Sequence, residues 1–285
     1  MQEFVEFTLG GIAIGMIYAA VALSLVLVWR GTRVLNYSQG GMAMFTTYVA
    51  WLVIRQTGNY WTGFVVALAC GLVLGAVLER TVVRPTFGKP PLNSVIVTIG
   101  VLIFLEGLAG VIYGGQYRSF PAAYSVTGLK IGKVALGISP NDLFTAVAVL
   151  AAALALALVF RYTAVGLRLR ATAFSPAVAR LLGVRIGRVL TLGWALAGVL
   201  VTPSTFLYPD SMDSIFVLGF TAAVIGGLDS PPGAVVGGVL LGVVLSYAGG
   251  YLGSELVLVY GLVALALVLM IRPSGLLSAG TGRRV

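Results

Sequence analysis

Hydrophobic residues in this chain fall in long runs separated by short polar stretches. Nine runs stand out, approximately Phe7–Val28, Gly41–Val53, Thr62–Leu78, Val95–Gly114, Asn141–Phe160, Val189–Leu207, Ile215–Gly227, Gly233–Tyr251 and Leu256–Ile271. A run such as Val95–Gly114 makes a helix of about 30 Å, the thickness of a hydrocarbon core. The runs are continuous rather than alternating, which argues against a β-barrel. The pattern predicts an all-α, polytopic transmembrane protein with eight to nine membrane segments in one domain over residues 1–285. The second and seventh segments are short for a full span.

The polar interruptions sharpen this picture. "RVLNYSQGGMAMF", Arg33 to Phe45, places Asn36, Tyr37, Ser38, Gln39, Gly40 and Gly41 between two apolar runs. Amides at membrane depth are tolerated where they face protein or a water-filled cavity, and glycine-broken helices mark the sites of many carriers. A plain loop before a helix starting at Gly41 also fits, since Arg30 and Arg33 are close by. Glu106 stands alone inside the fourth run. An ionisable group there costs several kcal/mol unless it is paired, hydrated or protonated. Ala109 and Gly110 share its helical face, so that face is expected to meet another helix or a cavity. A protonated carboxyl bonded across a helix interface and a place on a transport path both fit. "VIGGLDSPPGAVVGGVLLG" carries Gly226, Gly227, Gly233, Gly237, Gly238 and Gly242. Small residues so spaced let helices approach closely, and the two prolines make Asp229–Pro232 a true break.

Composition agrees with membrane burial: 59% of residues are hydrophobic and 9% charged, against about a quarter charged in soluble domains. The net charge of +9 reads as a topology signal rather than a nucleic-acid patch. With the N-terminus outside, Arg30, Arg33, Arg80, Arg84, Lys89, Arg161, Arg168, Arg170, Arg180, Arg185, Arg188, Arg272, Arg283 and Arg284 fall on the cytoplasmic side. Only Arg55, Arg118, Lys130 and Lys133 fall outside. That asymmetry follows the positive-inside rule and predicts a cytoplasmic C-terminus. The start, "MQEFVEFTLGG", has no basic residue and reads as an uncleaved first helix rather than a leader. Residues 115–140 form an external loop and residues 161–188 a cytoplasmic one.

The cytoplasmic loop contains Arg168, Arg170 and a short capped helix. Ser175 and Pro176 are a helix start, Gly183 a stop, and Val178, Leu181 and Leu182 one apolar stripe between them. Such a helix can lie on lipid headgroups or dock in a partner's groove. Enzyme chemistry has no foothold. No phosphate-binding G-x-x-x-x-G-K-[ST] loop occurs, no histidine is present, Cys70 is the sole cysteine, and no metal-ligand cluster is visible, so neither catalytic residues nor a cofactor or metal is expected.

Three stretches together carry a resemblance. "RGTRVLNYSQGGMAMFTTYVAW" is similar to the N-[FYM]-[AS]-x-G segment after the first helix of the permeases of branched-chain amino-acid ABC importers. "GLRLRATAFSPAVARLLGVRIGRV" resembles their coupling loop with its L-L-G-[VI] ending. "VIGGLDSPPGAVVGG" with "RPSGLL" resembles their G-G-[LM]-G-S-x-x-G-A and R-P-x-G-L signature. The likeness covers nearly the whole chain and is to the shorter of the two paired permeases. It implies a plasma (inner) membrane protein that pairs with a second permease, docks two cytosolic ATPases through 161–188, and receives substrate from an external binding protein. The translocation path would then include Asn36–Gly41, Glu106, Gly226 and Gly227. Gln39, Gly40 and Gly41 stand where the family commonly has H-G-E, and Asp229 where glycine is usual. Related permeases serve urea, short amides and aromatic acids, so those substrates remain alternatives. A passive channel, or a membrane scaffold without transport, is the competing class.

Overall fold

The computed structural model describes residues 2–86, 89–131, 134, 135, 137–164, 166–168, 206–272 and 275–277. The elements run α1 (Gln2–Thr32), α2 (Gln39–Thr57), α3 (Tyr60–Leu78), a π turn (Glu79–Val83), a 3-10 turn (Arg84–Thr86), α4 (Pro91–Tyr113), β1 (Arg118–Ser119), β2 (Lys130–Ile131), β3 (Val134–Ala135) and α5 (Pro140–Tyr162). They continue with β4 (Phe206–Leu207), α6 (Asp213–Gly226), α7 (Pro231–Leu252), a 3-10 turn (Ser254–Leu256) and α8 (Val257–Ile271). Eight of the nine expected segments are therefore helices, and Val189–Leu207 lies almost wholly outside the described residues. Among the described residues, six helical segments are long and apolar enough to cross a bilayer: Glu3–Arg30, Tyr60–Thr86, Leu92–Tyr113, Pro140–Tyr162, Pro231–Leu252 and Ser254–Ile271. The expected eight to nine included short or broken segments, which fall outside this count. The start of α2 is polar, and α6 has only 14 residues, too few for a full span.

The chain forms two compact units. One comprises Met1–Val26, Ser125–Ala153 and Val217–Val285; the other comprises Leu27–Tyr124 and Leu154–Phe216. In the first unit α1 packs along α7 through small residues. A Cβ on Gly15 would lie 2.7 Å from the Gly238 carbonyl oxygen. One on Gly238 would lie 2.6 Å from the Ala19 nitrogen, and one on Gly11 2.7 Å from the Val243 Cα. Small residues at four-residue spacing on both helices bring the backbones together, which is the main source of helix association where lipid is as apolar as the side chains.

In the second unit α2 and α3 form a tight hairpin. Gly58 (φ 67°) takes the left-handed position that ends α2, and its N–H returns to the Ile54 carbonyl oxygen at 2.8 Å. Asn59 then caps α3 by accepting from the Trp61 N–H at 2.9 Å. Leu27, Met42, Leu105 and Phe160 share one apolar core, and Tyr48, Ala109, Leu207 and Met212 another. After α3, fully buried Glu79 accepts two hydrogen bonds from Arg84, at 2.9 and 3.1 Å. This forked geometry gives a buried carboxylate the donors it needs. Arg84, read from sequence as a topology charge, thus also has a structural partner.

Candidate functional site

The site grows from the way the chain leaves α1. Arg33 adopts φ 56° and ends the helix, and five irregular residues follow. The Asn36 side chain organises them. Its Oδ1 accepts from the Ser38 N–H at 3.0 Å and from the Ser38 hydroxyl at 2.6 Å, and its Nδ2 donates to Gln39 Oε1 at 2.9 Å. This is an Asx-type turn in which one amide replaces the missing backbone bonds. With its hydroxyl committed to Asn36, Ser38 makes no side-chain cap of α2. The Tyr37 N–H donates to Thr98 Oγ1 of α4 at 3.4 Å.

Asn36, Ser38 and Gln39 are each only 1% exposed. Left unpaired at that burial, each amide would cost several kcal/mol; here they satisfy one another. The helix starts at Gln39, two residues earlier than expected. Its glycines then admit neighbouring side chains. A Cβ on Gly40 would lie 3.3 Å from Phe216 Cβ, and one on Gly41 would lie 3.0 Å from Leu102 Cδ1 and 3.4 Å from Leu105 Cβ. The polar turn is thereby gripped between α4 and the beginning of α6, with the Tyr37 ring 6.1 Å from the Phe216 ring.

Glu106 lies one residue beyond Leu105. Its carboxyl faces the Asp213 carboxyl at the start of α6, with Asp210 also in electrostatic reach. One carboxyl oxygen, Oε1, is buried with no hydrogen-bond partner. Of the two residues expected on its face, Ala109 is fully buried in the cluster with Tyr48 and Met212, whereas a Cβ on Gly110 would meet nothing within 4 Å. The face thus packs on one side and leaves open space on the other. Tyr48 stacks on Tyr113, with ring centroids 4.4 Å apart and planes 8° apart.

Gly226 and Gly227 belong to the other unit and have a different role there. α6 ends at Gly226 and α7 begins at Pro231, capped by Ser230, whose Oγ accepts from the Gly233 N–H at 3.0 Å. Gly226 and Gly233 touch backbone to backbone, so a Cβ on either would overlap the other's carbonyl group. The C-terminal strand of chain then closes on the same place. The Leu276 N–H donates to the Ile225 carbonyl at 2.7 Å and the Leu277 N–H to the Gly226 carbonyl at 3.2 Å. These bonds satisfy carbonyls that the end of α6 leaves orphaned. Of the expected coupling residues, Arg168 is exposed near the end of the described part, while Arg170, Ser175, Pro176, Val178, Leu181, Leu182 and Gly183 lie outside the described residues.

Comparison with known proteins completes the description. Residues 7–272 match the model of the branched-chain amino acid transport system permease component family. The chain belongs to that family. The high-affinity branched-chain amino acid transport system permease protein LivH of Escherichia coli (strain K12) is 29% identical, covering 96% of this chain and 95% of that one. The corresponding protein BraD of Pseudomonas aeruginosa is 26% identical, covering 97% and 96%. The solved structure of PsaBC from Streptococcus pneumoniae in complex with Fab is similar over 94% of this chain and 91% of that one, at TM-score 0.49 and 15% identity. The chain is an ABC-transporter permease and a multi-pass inner-membrane protein, and its relatives are transport components rather than enzymes.

Asp210, Asp213, Phe216 and Thr98 of this permease join the site only in the fold. Asp210 and Asp213 sit in "YPDSMDS", between two apolar runs, and read as loop residues. The available signal is their spacing of three just before an apolar run, which a single turn brings together, the Asp213 N–H donating to the Asp210 carbonyl at 3.1 Å.

Proposed function

We propose that this chain is one of two permease subunits of an ATP-driven importer for branched-chain or related hydrophobic amino acids. Its N-terminus lies outside and its C-terminus in the cytoplasm, with eight to nine membrane segments. The family match over residues 7–272 carries this reading. The names of the relatives, which transport branched-chain amino acids, support the substrate class. A second permease, two cytosolic ATPases and an external binding protein complete the transporter. The loop 161–188 couples it to the ATPases through the stripe of Val178, Leu181 and Leu182. Asn36–Gly41 and Glu106 lie along the translocation path, and the buried polar turn supports that placement, because amides so deep in an apolar chain need protein or water around them. Urea, short amides or aromatic acids are the alternative cargo.

Co-purification tests the assembly. A tagged chain expressed with its full set of partners is expected to bring down a second permease and two ATPases. Recovery of the chain alone, conducting solute without ATP, would instead identify a passive channel.

A further inference from the structure

Five buried side-chain polar atoms among the described residues have no hydrogen-bond partner, and four of them belong to Tyr48, Glu106, Arg118 and Ser211. Ser211 belongs to one turn, Tyr208–Met212, in the second unit, and Tyr48, Glu106 and Arg118 lie around it. The Tyr48 ring packs against Met212 and Leu207, and its hydroxyl lies in electrostatic reach of both Arg118 and Asp210. Arg118 is held opposite Leu207 by the antiparallel pairing of β1 with β4. Its guanidinium lies 4.5 Å from the centre of the Trp51 ring and donates to the Tyr113 carbonyl, leaving Nε unused. Ser211 follows Asp210 directly, and Glu106 faces Asp213.

Buried polar atoms in folded proteins are almost always satisfied, so several orphans in one place call for a shared partner. The unused capacity here is sorted by charge. Arg118 offers a donor, Glu106 an acceptor next to two further carboxyls, and the Tyr48 and Ser211 hydroxyls can do either. Asp210 and Asp213 are exposed at the rim and Glu106 is half-buried beside them, and facing carboxyls favour a cation or a proton between them. Trp51, Met212 and Ile215 add an apolar wall around Tyr48, and the bare flank at Gly110 leaves room beside Glu106.

We propose that Glu106, Asp213, Tyr48, Ser211 and Arg118 form a recognition site for a zwitterionic α-amino acid with an apolar side chain. Glu106 and Asp213 take the ammonium group, Arg118 and Tyr48 take the carboxylate, and the side chain lies against Trp51 and Met212. This deepens the importer reading and rests on it.

The test uses the assembled permease–ATPase complex in lipid nanodiscs, without binding protein, titrated with three probes. These are leucine, 4-methylpentanoate (no ammonium) and 3-methylbutylamine (no carboxylate). The wild-type complex is expected to bind leucine about tenfold or more tightly than either analogue, since each charged contact contributes on that scale. Glu106→Gln is expected to weaken leucine about tenfold while leaving 4-methylpentanoate unchanged. Arg118→Gln is expected to weaken leucine similarly and leave 3-methylbutylamine unchanged. The wild-type ranking needs no variant, so a misfolded mutant does not rescue the idea. Equal affinity for the three probes, no saturable leucine binding, or loss of all probes alike in both variants would overturn the site. An assembled complex that accumulates leucine with ATP but shows none of this selectivity removes only the site. A chain that assembles with no ATPase removes the importer reading and the site with it.

Discussion

The two glycine-bearing breaks of this chain, Asn36–Gly41 and Gly226–Gly238, look alike in sequence and are built differently. At the first, an asparagine amide holds the turn by bonding Ser38 and Gln39, and glycine makes room for side chains, Phe216 at Gly40 and Leu102 at Gly41. At the second, hydroxyl capping and two prolines shape the turn, and glycine makes room for backbone, with Gly226 against Gly233 and Gly275 (φ 81°) 2.6 Å, measured from an added Cβ, from the Gly227 Cα. A side chain can rotate away from an intruding methyl group, whereas a carbonyl in a helix cannot. The first break can therefore yield to a shift of its neighbours, as the proposed path requires, whereas the second is a fixed joint.

The contrast can be broken by substitution. The largest effect is expected at Gly226→Val. Its branched side chain meets the Gly233 backbone, and the loss should exceed the roughly 1–3 kcal/mol typical of overpacking. It should be read as a collapse in the yield and thermal stability of the detergent-purified complex. If Gly226→Val is as stable as the parent, the joint is not rigid. Asn36→Leu comes next. It removes the donor to Gln39 Oε1 and the acceptor of the Ser38 N–H and hydroxyl, at about 1–3 kcal/mol for an unsatisfied group, with a lower melting temperature and reduced uptake. Asn36→Asp should fall between Asn36→Leu and the parent, since it keeps the acceptor for Ser38 and loses the donor to Gln39.

Gly41→Val should be milder for stability, because Leu102 can give way. It should nonetheless block uptake while the complex still assembles; normal uptake in both Gly41→Val and Gln39→Leu would make this stretch a mere connector. The smallest effect is expected at Asn59→Ala, away from both breaks, where the lost α3 cap costs about 1 kcal/mol and uptake is unaffected. A transport defect there would mean that the α2–α3 hairpin moves during the cycle.

Much of the fold was legible because a membrane helix announces itself by length and apolarity. α1, α4, α5, α7 and α8 all lie where the runs placed them. Which helix is the more buried was not legible. The α1 span is 78% buried and the α8 span 6%, yet both read as long apolar runs, and only the small residues Gly11, Gly15 and Ala19 mark α1 as the packed one. The start of α2 was misplaced by two residues because Gln39 and Gly40 look like loop residues until Asn36 is seen to satisfy them. Glu106 was visible as an isolated charge, but its neighbours were not. Asp213 comes from a distant helix start, and Arg118 is positioned by a two-residue strand pairing with Leu207, a contact too short and too far apart in sequence to leave any periodic trace.

The loop 161–188, proposed to couple to the ATPases, offers a further test that leaves both breaks untouched. Leu182→Arg, placing a charge in an apolar docking groove, is expected to release the ATPases or uncouple hydrolysis from uptake; unchanged co-purification and uptake would exclude that contact.

On the proposed function, this chain moves amino acids only as part of an ATP-driven assembly. Accumulation of labelled leucine by proteoliposomes containing the permease pair and both ATPases, with ATP trapped inside and binding protein outside, measures it directly. Uphill uptake that needs both ATP and binding protein is the predicted result. Downhill leucine flux through this chain alone, indifferent to ATP, would contradict it.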